Sequence, residues 1–213
     1  MPRRTLSREQ VLRAAIDLAD SEGIESLSMR KLGRALGVEA MSLYNHVDGK
    51  DPMLDGMVDL VWREIVLPSP GEHWRAAMHE TAVSAHDVLL RHPWVCGLIM
   101  SPDRIHPARL EYIDAILGHL RDAGFPAEVM FHAYHAIDAH IIGFTMWEIG
   151  HSISPAKEKE LAENLLPDLA ENLPHLFEHA QQHRAGVGRD GPGGFVFVLD
   201  LILDGLERAA ARS

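Results

Sequence analysis

Residues 42–46, Ser-Leu-Tyr-Asn-His, put four hydrogen-bonding side chains into five positions with no acid among them. On a helix, such a surface suits the base edges and phosphates of a major groove. A second group of reactive types is His132, His135, Asp138 and His140. Imidazole and carboxylate are metal ligands, but helical steps of three drift by about 60° each, so positions 132, 135 and 138 span too wide an arc for one compact metal face. No metal is expected there. Glu148-Ile-Gly-His151 has the Glu-x-x-His spacing of di-iron helical bundles. It occurs once, without the symmetric copy such a centre needs. Hydrogen-bonded core or surface histidines account more simply for these residues. No catalytic set emerges, so no enzyme and no cofactor are expected.

The polar run needs a rigid mount, and residues 28–50 read as two short helices across a tight turn. Ser28 is a good N-cap, and Leu27 with Leu32 fits a hydrophobic staple around it. Met29, Leu32 and Leu36 share one face at spacings of three and four. Gly37 sits where a left-handed residue ends a helix without a Cβ clash. Gly33 four residues earlier and Leu43 six later let two helices cross closely, as in a helix-turn-helix. The second helix, about Glu39 to His46, turns Leu43 and Val47 inward and leaves the polar residues outside.

Residues 5–60 resemble the N-terminal domain of the TetR family of ligand-responsive repressors. The resemblance lies in Leu36-Gly37-Val38, in Ser42-Leu43-Tyr44-Asn45-His46-Val47, and in Lys50 and Leu54. It implies double-stranded operator DNA as the partner, with contacts at Arg30, Ala40, Met41, Ser42, Tyr44, Asn45, His46 and Lys50. Two departures stand out. Glu39 replaces a better N-cap, and Ala40 and Met41 offer apolar contacts, suited to thymine methyls, where polar groups are usual.

The net charge of −11 at first sight disfavours a polyanionic partner. Residues 1–50 hold 8 Lys and Arg against 7 Asp and Glu, a net of +1, whereas residues 51–213 hold 12 against 24, a net of −12. Phosphate contact requires a local basic surface rather than a basic protein. Arg3 and Arg4 form a short basic arm, suited to phosphates or an adjacent minor groove and equally to a disordered solubilising tail. The single Cys96 excludes an intrachain disulfide framework and fits a reducing compartment. No export signal and no apolar run near 18 residues are apparent, so a cytoplasmic protein without membrane contact is expected.

The rest of the chain reads as helix, giving an all-α fold: a three-helix helix-turn-helix domain over 1–50 and a larger ligand-binding and dimerisation domain over 51–213. Ser7 and Gln10 form a capping-box signature for a first helix ending at Gly23. Asp51-Pro52 predicts a cap and first position for a helix to about Leu67. That helix follows the polar run within a few residues, which makes it a mechanical link between the domains. Helices are expected at 73–92, 108–123, 126–150, 156–166 and 195–210, with a turn or two near 176–183. Residues 94–106 read as irregular and 186–194 as a flexible loop. Phe195 to Leu203 is apolar on every side except Asp200, and Asp200 with Asp204 marks a narrow solvated stripe. A helix so apolar needs cover on more than one side. Together with 126–150, where Ala133, Ala136 and Gly143 permit close approach, it suggests a homodimer through a four-helix bundle.

Phe197 to Glu207 and the 124–143 segment resemble the tetracycline-repressor branch of the same family. That resemblance implies an inducer cavity, for which Met78, Thr81, Ile99, Met100, Tyr112 and His135 are the candidates. The groups that hold a tetracycline–magnesium complex do not recur, Val66 taking one such position, so an unknown, mainly apolar organic effector is expected. On the residues alone, a helical metalloenzyme and a ligand-binding scaffold without DNA function stay open as alternatives.

Overall fold

The computed structural model describes residues 6–100, 104, 106–151, 155–184 and 193–212. The basic arm at Arg3 and Arg4 and most of the 186–194 loop lie outside them. Eleven α-helices and no strand are found among the described residues.

The first four helices build the N-terminal unit. Helix α1 is Arg8–Glu22, opened by the Ser7–Gln10 capping box and closed at Gly23, φ 81°. Helix α2, Met29–Leu36, starts at Ser28, whose hydroxyl accepts from the Lys31 N–H. It ends at Gly37 in the left-handed region, φ 68° and ψ 32°. Helix α3 is Ala40–Leu43 and α4 is Lys50–Trp62. Leu12, Leu27, Leu32 and Leu43 are almost fully buried between these elements.

Two expectations about α4 are corrected. It begins at Lys50, capped by Gly49, rather than at Pro52. A proline in the first turn displaces no intrahelical hydrogen bond, so the helix extends back past it. It ends at Trp62 rather than Leu67. There the bonds Glu64 N–H to Val61 O and Ile65 N–H to Trp62 O replace the helical ladder. This turn buries Ile65 and lets the Val66 N–H donate to Ser84 Oγ at 2.9 Å.

The body comprises α5 (Trp74–Arg91), α6 (Trp94–Ile99), α7 (Pro107–Asp122), α8 (Ala127–His151), α9 (Pro155–Asn172), α10 (Pro174–Arg184) and α11 (Gly194–Ala210). Helix α6 was not expected. Its glycine and flanking prolines read as irregular, but burial of Trp94, Val95, Cys96 and Ile99 holds it helical. Helix α9 runs through position 167, and α10 is longer than the turn or two expected. Helix α8 packs against α5, α7 and α11, and α9 packs on α10. The Asp200–Asp204 stripe is half-exposed and is also ion-paired. Arg75 at the start of α5 reaches Asp200 at 3.3 Å, Asp204 at 2.7 Å and Glu207 at 4.0 Å. The stripe is therefore an ion-pair seam between α5 and α11. Among the described residues, no helix is long and apolar enough to cross a membrane.

Candidate functional site

The turn between α2 and α3 is held by close backbone approach. A Cβ at Gly33 would stand 2.8 Å from Val38 O and 3.2 Å from Ala40 N. Only a glycine lets α3 cross α2 this closely. Leu43 and Val47 then anchor α3 from below, with 0% and 4% of their surface exposed. The opposite side projects: Met41 is 76% and Tyr44 47% exposed, and Arg30, Asn45 and Lys50 are exposed as well. Ala40, Ser42 and His46 are half-buried. All eight candidates for DNA contact thus lie at the surface of one small unit, although only Ala40–Leu43 is regular helix. Residues 44–46 continue as turn, and Glu39 gives α3 no side-chain cap. The Ser42 hydroxyl donates to Glu39 O at 2.7 Å, which adds a bond across this first turn but leaves its N–H groups uncapped.

Beside this face is an open groove of about 850 Å³, lined among others by Arg34, Glu39, Ser42, Asn45 and His46. Arg34 was missed from the sequence. It lies four residues after Arg30, which on a helix places both on one side. Arg30, Arg34 and Lys50 have no acidic partner among the described residues, whereas Lys31 is paired with Glu22.

Helix α4 and its C-cap Arg63 join this unit to the body through ties to Arg104 and to the start of α7. Arg104 bonds Asp55 at 2.6 Å and Asp51 at 3.0 Å. Asp59 accepts from the Ala108 N–H at 3.1 Å, Arg63 forms a bidentate pair with Glu111, and the Trp62 and Tyr112 rings meet at 5.1 Å. A second connection bypasses α4. Asp20 of α1 accepts from His92 Nδ1–H at 2.9 Å and from the Trp94 indole N–H at 2.7 Å. His92 Nε2 lies 3.4 Å from Glu64, and Arg91 bonds the same carboxylate at 2.9 Å. Burial opposes ionisation of Glu64, but Arg91 and His92 outweigh it and hold the carboxyl below its usual range.

The six candidates for an interior site divide. Met78, Thr81, Ile99 and Tyr112 are buried. Met100 is 62% exposed, and His135 is exposed with its ring against Phe131 and Nδ1 2.7 Å from Phe131 O. Those two are corrected: they face outward from the body. In exchange, the interior holds Trp62, His106 and Arg109, which carried no distinguishing spacing in the sequence, and Asp138, which was weighed there only as a metal ligand. Arg109 lies 5.5 Å over the Trp62 ring and bonds Asp138 at 3.1 Å and Ile99 O at 3.2 Å. Burial raises the Asp138 carboxyl above its ordinary range despite Arg109, and pushes the Tyr112 phenol well above its own. Among the described residues, Trp62 Nε1, Thr81 Oγ1, both ring nitrogens of His106, Tyr112 OH and Asp138 Oδ1 have no hydrogen-bond partner. Each such buried group costs about 1–3 kcal/mol when it is left without a partner.

The outer faces of α8 and α11 carry large exposed apolar groups: Phe131 and Met146 on the first, Phe197 and Leu201 on the second. Between them on α8, Ala139 and Gly143 are exposed too. Beneath this face the Phe195 ring is stacked between His86 at 4.0 Å and His140 at 4.6 Å. His86 also bonds Thr145 Oγ1 at 2.8 Å. Among the described residues no group of three or more His, Cys, Asp or Glu is placed to hold a metal ion. His132, His135 and Asp138 do not converge, since Asp138 turns inward to Arg109 while the two histidines are exposed.

Residues 11–57 match the model of the bacterial regulatory proteins of the tetR family, and residues 67–210 that of the tetracyclin repressor-like C-terminal domain. A transcriptional repressor of Streptomyces coeruleorubidus, DrrR1, is 31% identical over 99% of this chain and 81% of its own length. The class D tetracycline repressor protein of Escherichia coli is 29% identical over 95% of this chain and 89% of its own. Among solved structures, apo ActR from Streptomyces coelicolor aligns with a TM-score of 0.74 at 24% identity, covering 97% of both chains. The fold, the projecting α3 and both family matches agree. The chain belongs to the TetR family of bacterial regulatory proteins and is a ligand-responsive DNA-binding regulator.

Proposed function

We propose that this regulator is a homodimeric repressor that sets α3 of each subunit into the major groove of a palindromic operator and lets go when a small organic effector enters its body. The exposure pattern of α3 carries this reading: Leu43 and Val47 are sealed in the core while Met41, Tyr44 and Asn45 project from the same short segment. Tyr44, Asn45 and Lys50 would hold phosphates and base edges, and Met41 would cover a thymine methyl. Arg30 and Arg34 would supply the local positive charge that the acidic body lacks.

The dimer is formed by the Phe131–Met146 face of α8 and the Phe197–Leu201 face of α11, packed against their copies in a four-helix bundle. Exposed apolar faces of this kind mark association sites. Two-fold symmetry then fixes the distance between the reading heads. Because the end of α4 is tied to α7 at Asp59 and Trp62, an effector that moves α7 must tilt α4 and change that distance. The effector acts only through a difference in its affinity for the two arrangements.

Selection from a random duplex pool tests the reading. An inverted repeat bound by two chains, and lost with Phe197→Asp/Leu201→Asp, is the expected outcome. Failure to enrich any sequence at low salt would overturn it.

A further inference from the structure

We infer that the body carries a site for a divalent transition-metal ion, zinc by its geometry, with His86 of α5 and Glu148 and His151 of α8 as ligands. In the sequence, Glu148-Ile-Gly-His151 lacks the symmetric copy that would complete a metal centre. The fold supplies a ligand from another helix instead. His86 brings its Nε2 to 3.3 Å from Glu148 Oε2.

Hydrogen-bond direction decides what these two atoms present. The Thr145 hydroxyl donates its one proton to Ile141 O at 2.6 Å. Its oxygen therefore accepts from His86 Nδ1–H at 2.8 Å. A neutral His86 carries its only proton there, so Nε2 turns a lone pair toward a carboxylate oxygen that is also an acceptor. Two acceptors that face one another require a shared cation. Metal-bound imidazoles are held in this same way, by a hydrogen bond from the other ring nitrogen that fixes tautomer and orientation. The ring itself is buried and stacked on Phe195 at 4.0 Å.

The separation selects the ion. Zinc bonds of about 2.0–2.1 Å to nitrogen and oxygen, at a tetrahedral angle, place two ligand atoms about 3.3 Å apart. An imidazole nitrogen beside a carboxylate suits zinc, whereas magnesium and calcium take oxygen ligands. Asp87 adds negative charge within electrostatic reach of His86. Position 151 follows Glu148 by one step of three on α8, a spacing at which helical side chains are neighbours. The side chain of His151 lies outside the described residues, and its spacing alone nominates it. Two imidazoles and one carboxylate make an open three-ligand set, with water in the fourth position. A metal ion there would pin α5 to the last turns of α8, beside the Met146 end of the exposed apolar face.

The test uses untagged, full-length protein treated with a chelator and then titrated with cobalt(II) chloride, a spectroscopic substitute for zinc. One cobalt ion per chain is expected, with the visible absorption of a tetrahedral nitrogen–oxygen site that zinc chloride abolishes by displacement. Zinc chloride alone should raise the melting temperature by several degrees. Glu148→Gln keeps the size of a half-exposed side chain and should weaken cobalt binding at least tenfold. His86→Phe should do the same, and the Glu148 variant carries the test if the buried His86 variant does not fold. The double variant His132→Ala/His135→Ala, at two exposed imidazoles, should leave the site unchanged. Absence of the cobalt band would overturn the inference and leave the His86–Glu148 contact as the ion pair of a protonated imidazole. A band unchanged in folded Glu148→Gln, or one lost with His132 and His135, would overturn it too, as adventitious binding. The readout needs no DNA, so none of these results bears on operator recognition.

Discussion

Gly33 and Val38 approach so closely that a methyl group on the first would stand 2.8 Å from the carbonyl oxygen of the second. The Val38 N–H in turn donates to Gly33 O at 2.9 Å, so the pair closes the turn from both sides. The crossing of α2 and α3, and hence the aim of Tyr44 and Asn45, depends on this contact.

Gly33→Ala should therefore weaken operator binding by more than tenfold and destabilise the chain by about 1–3 kcal/mol. An exposed control such as Ala35→Ser should do neither. Thermal unfolding and gel shift measure the two effects. Wild-type behaviour of Gly33→Ala would show that the turn relaxes without moving α3.

Asp20 ties α1 to the body by accepting from His92 and Trp94. Asp20→Ala leaves two buried donors unmatched, and hydrogen bonds to a charged group contribute about 1.5–3 kcal/mol. Amide exchange in α1 should accelerate, and the effector concentration needed to release DNA should rise, because part of the linkage is gone. An exchange profile identical to that of the wild type would mean that α4 alone couples the domains.

The local parts of this structure were legible in the sequence, and the long-range parts were not. Ser7 with Gln10, Ser28, Gly33 and Gly37 act on neighbours within five residues, and their roles follow from backbone hydrogen-bonding needs. The inward faces of α1, α4 and α5 follow from periodicity. Helix α6 was missed because its stability comes from burying Trp94 and Ile99 rather than from propensity. Asp20 and His92 are 72 residues apart, and Arg75 and Asp200 are 125 apart. No spacing rule reaches across such separations. Trp62, His106 and Arg109 were overlooked for the same reason, since only packing shows what surrounds them, and Asp138 was weighed only as a metal ligand. Met100 was chosen by residue type and His135 by its position in the family resemblance, and packing turned both outward.

Stability should depend on pH through the paired imidazoles. Desolvation holds His86 below the ordinary value of 6.5, with Glu148 and Asp87 opposing it, and holds His140 low against the pull of Phe195 O. The unfolded chain then binds protons that the native one refuses, in a window below pH 6.5. Stability from these groups is complete above that value and is lost as pH falls through the window. Urea midpoints at pH 7.5, 6.5 and 5.5 should decline, and His86→Phe should flatten the decline. A midpoint that rises on acidification, or an unchanged slope in the variant, would contradict the assignment.

The most direct test of the central claim, that α3 and the start of α4 read DNA for a two-chain body, is a titration of one selected operator duplex with three proteins. Wild type should bind as two chains per duplex, with an affinity falling steeply as salt rises. Tyr44→Ala and Lys50→Ala should each cut the affinity at least tenfold while remaining dimers with unchanged melting temperatures. Unchanged affinity in both variants would contradict the account.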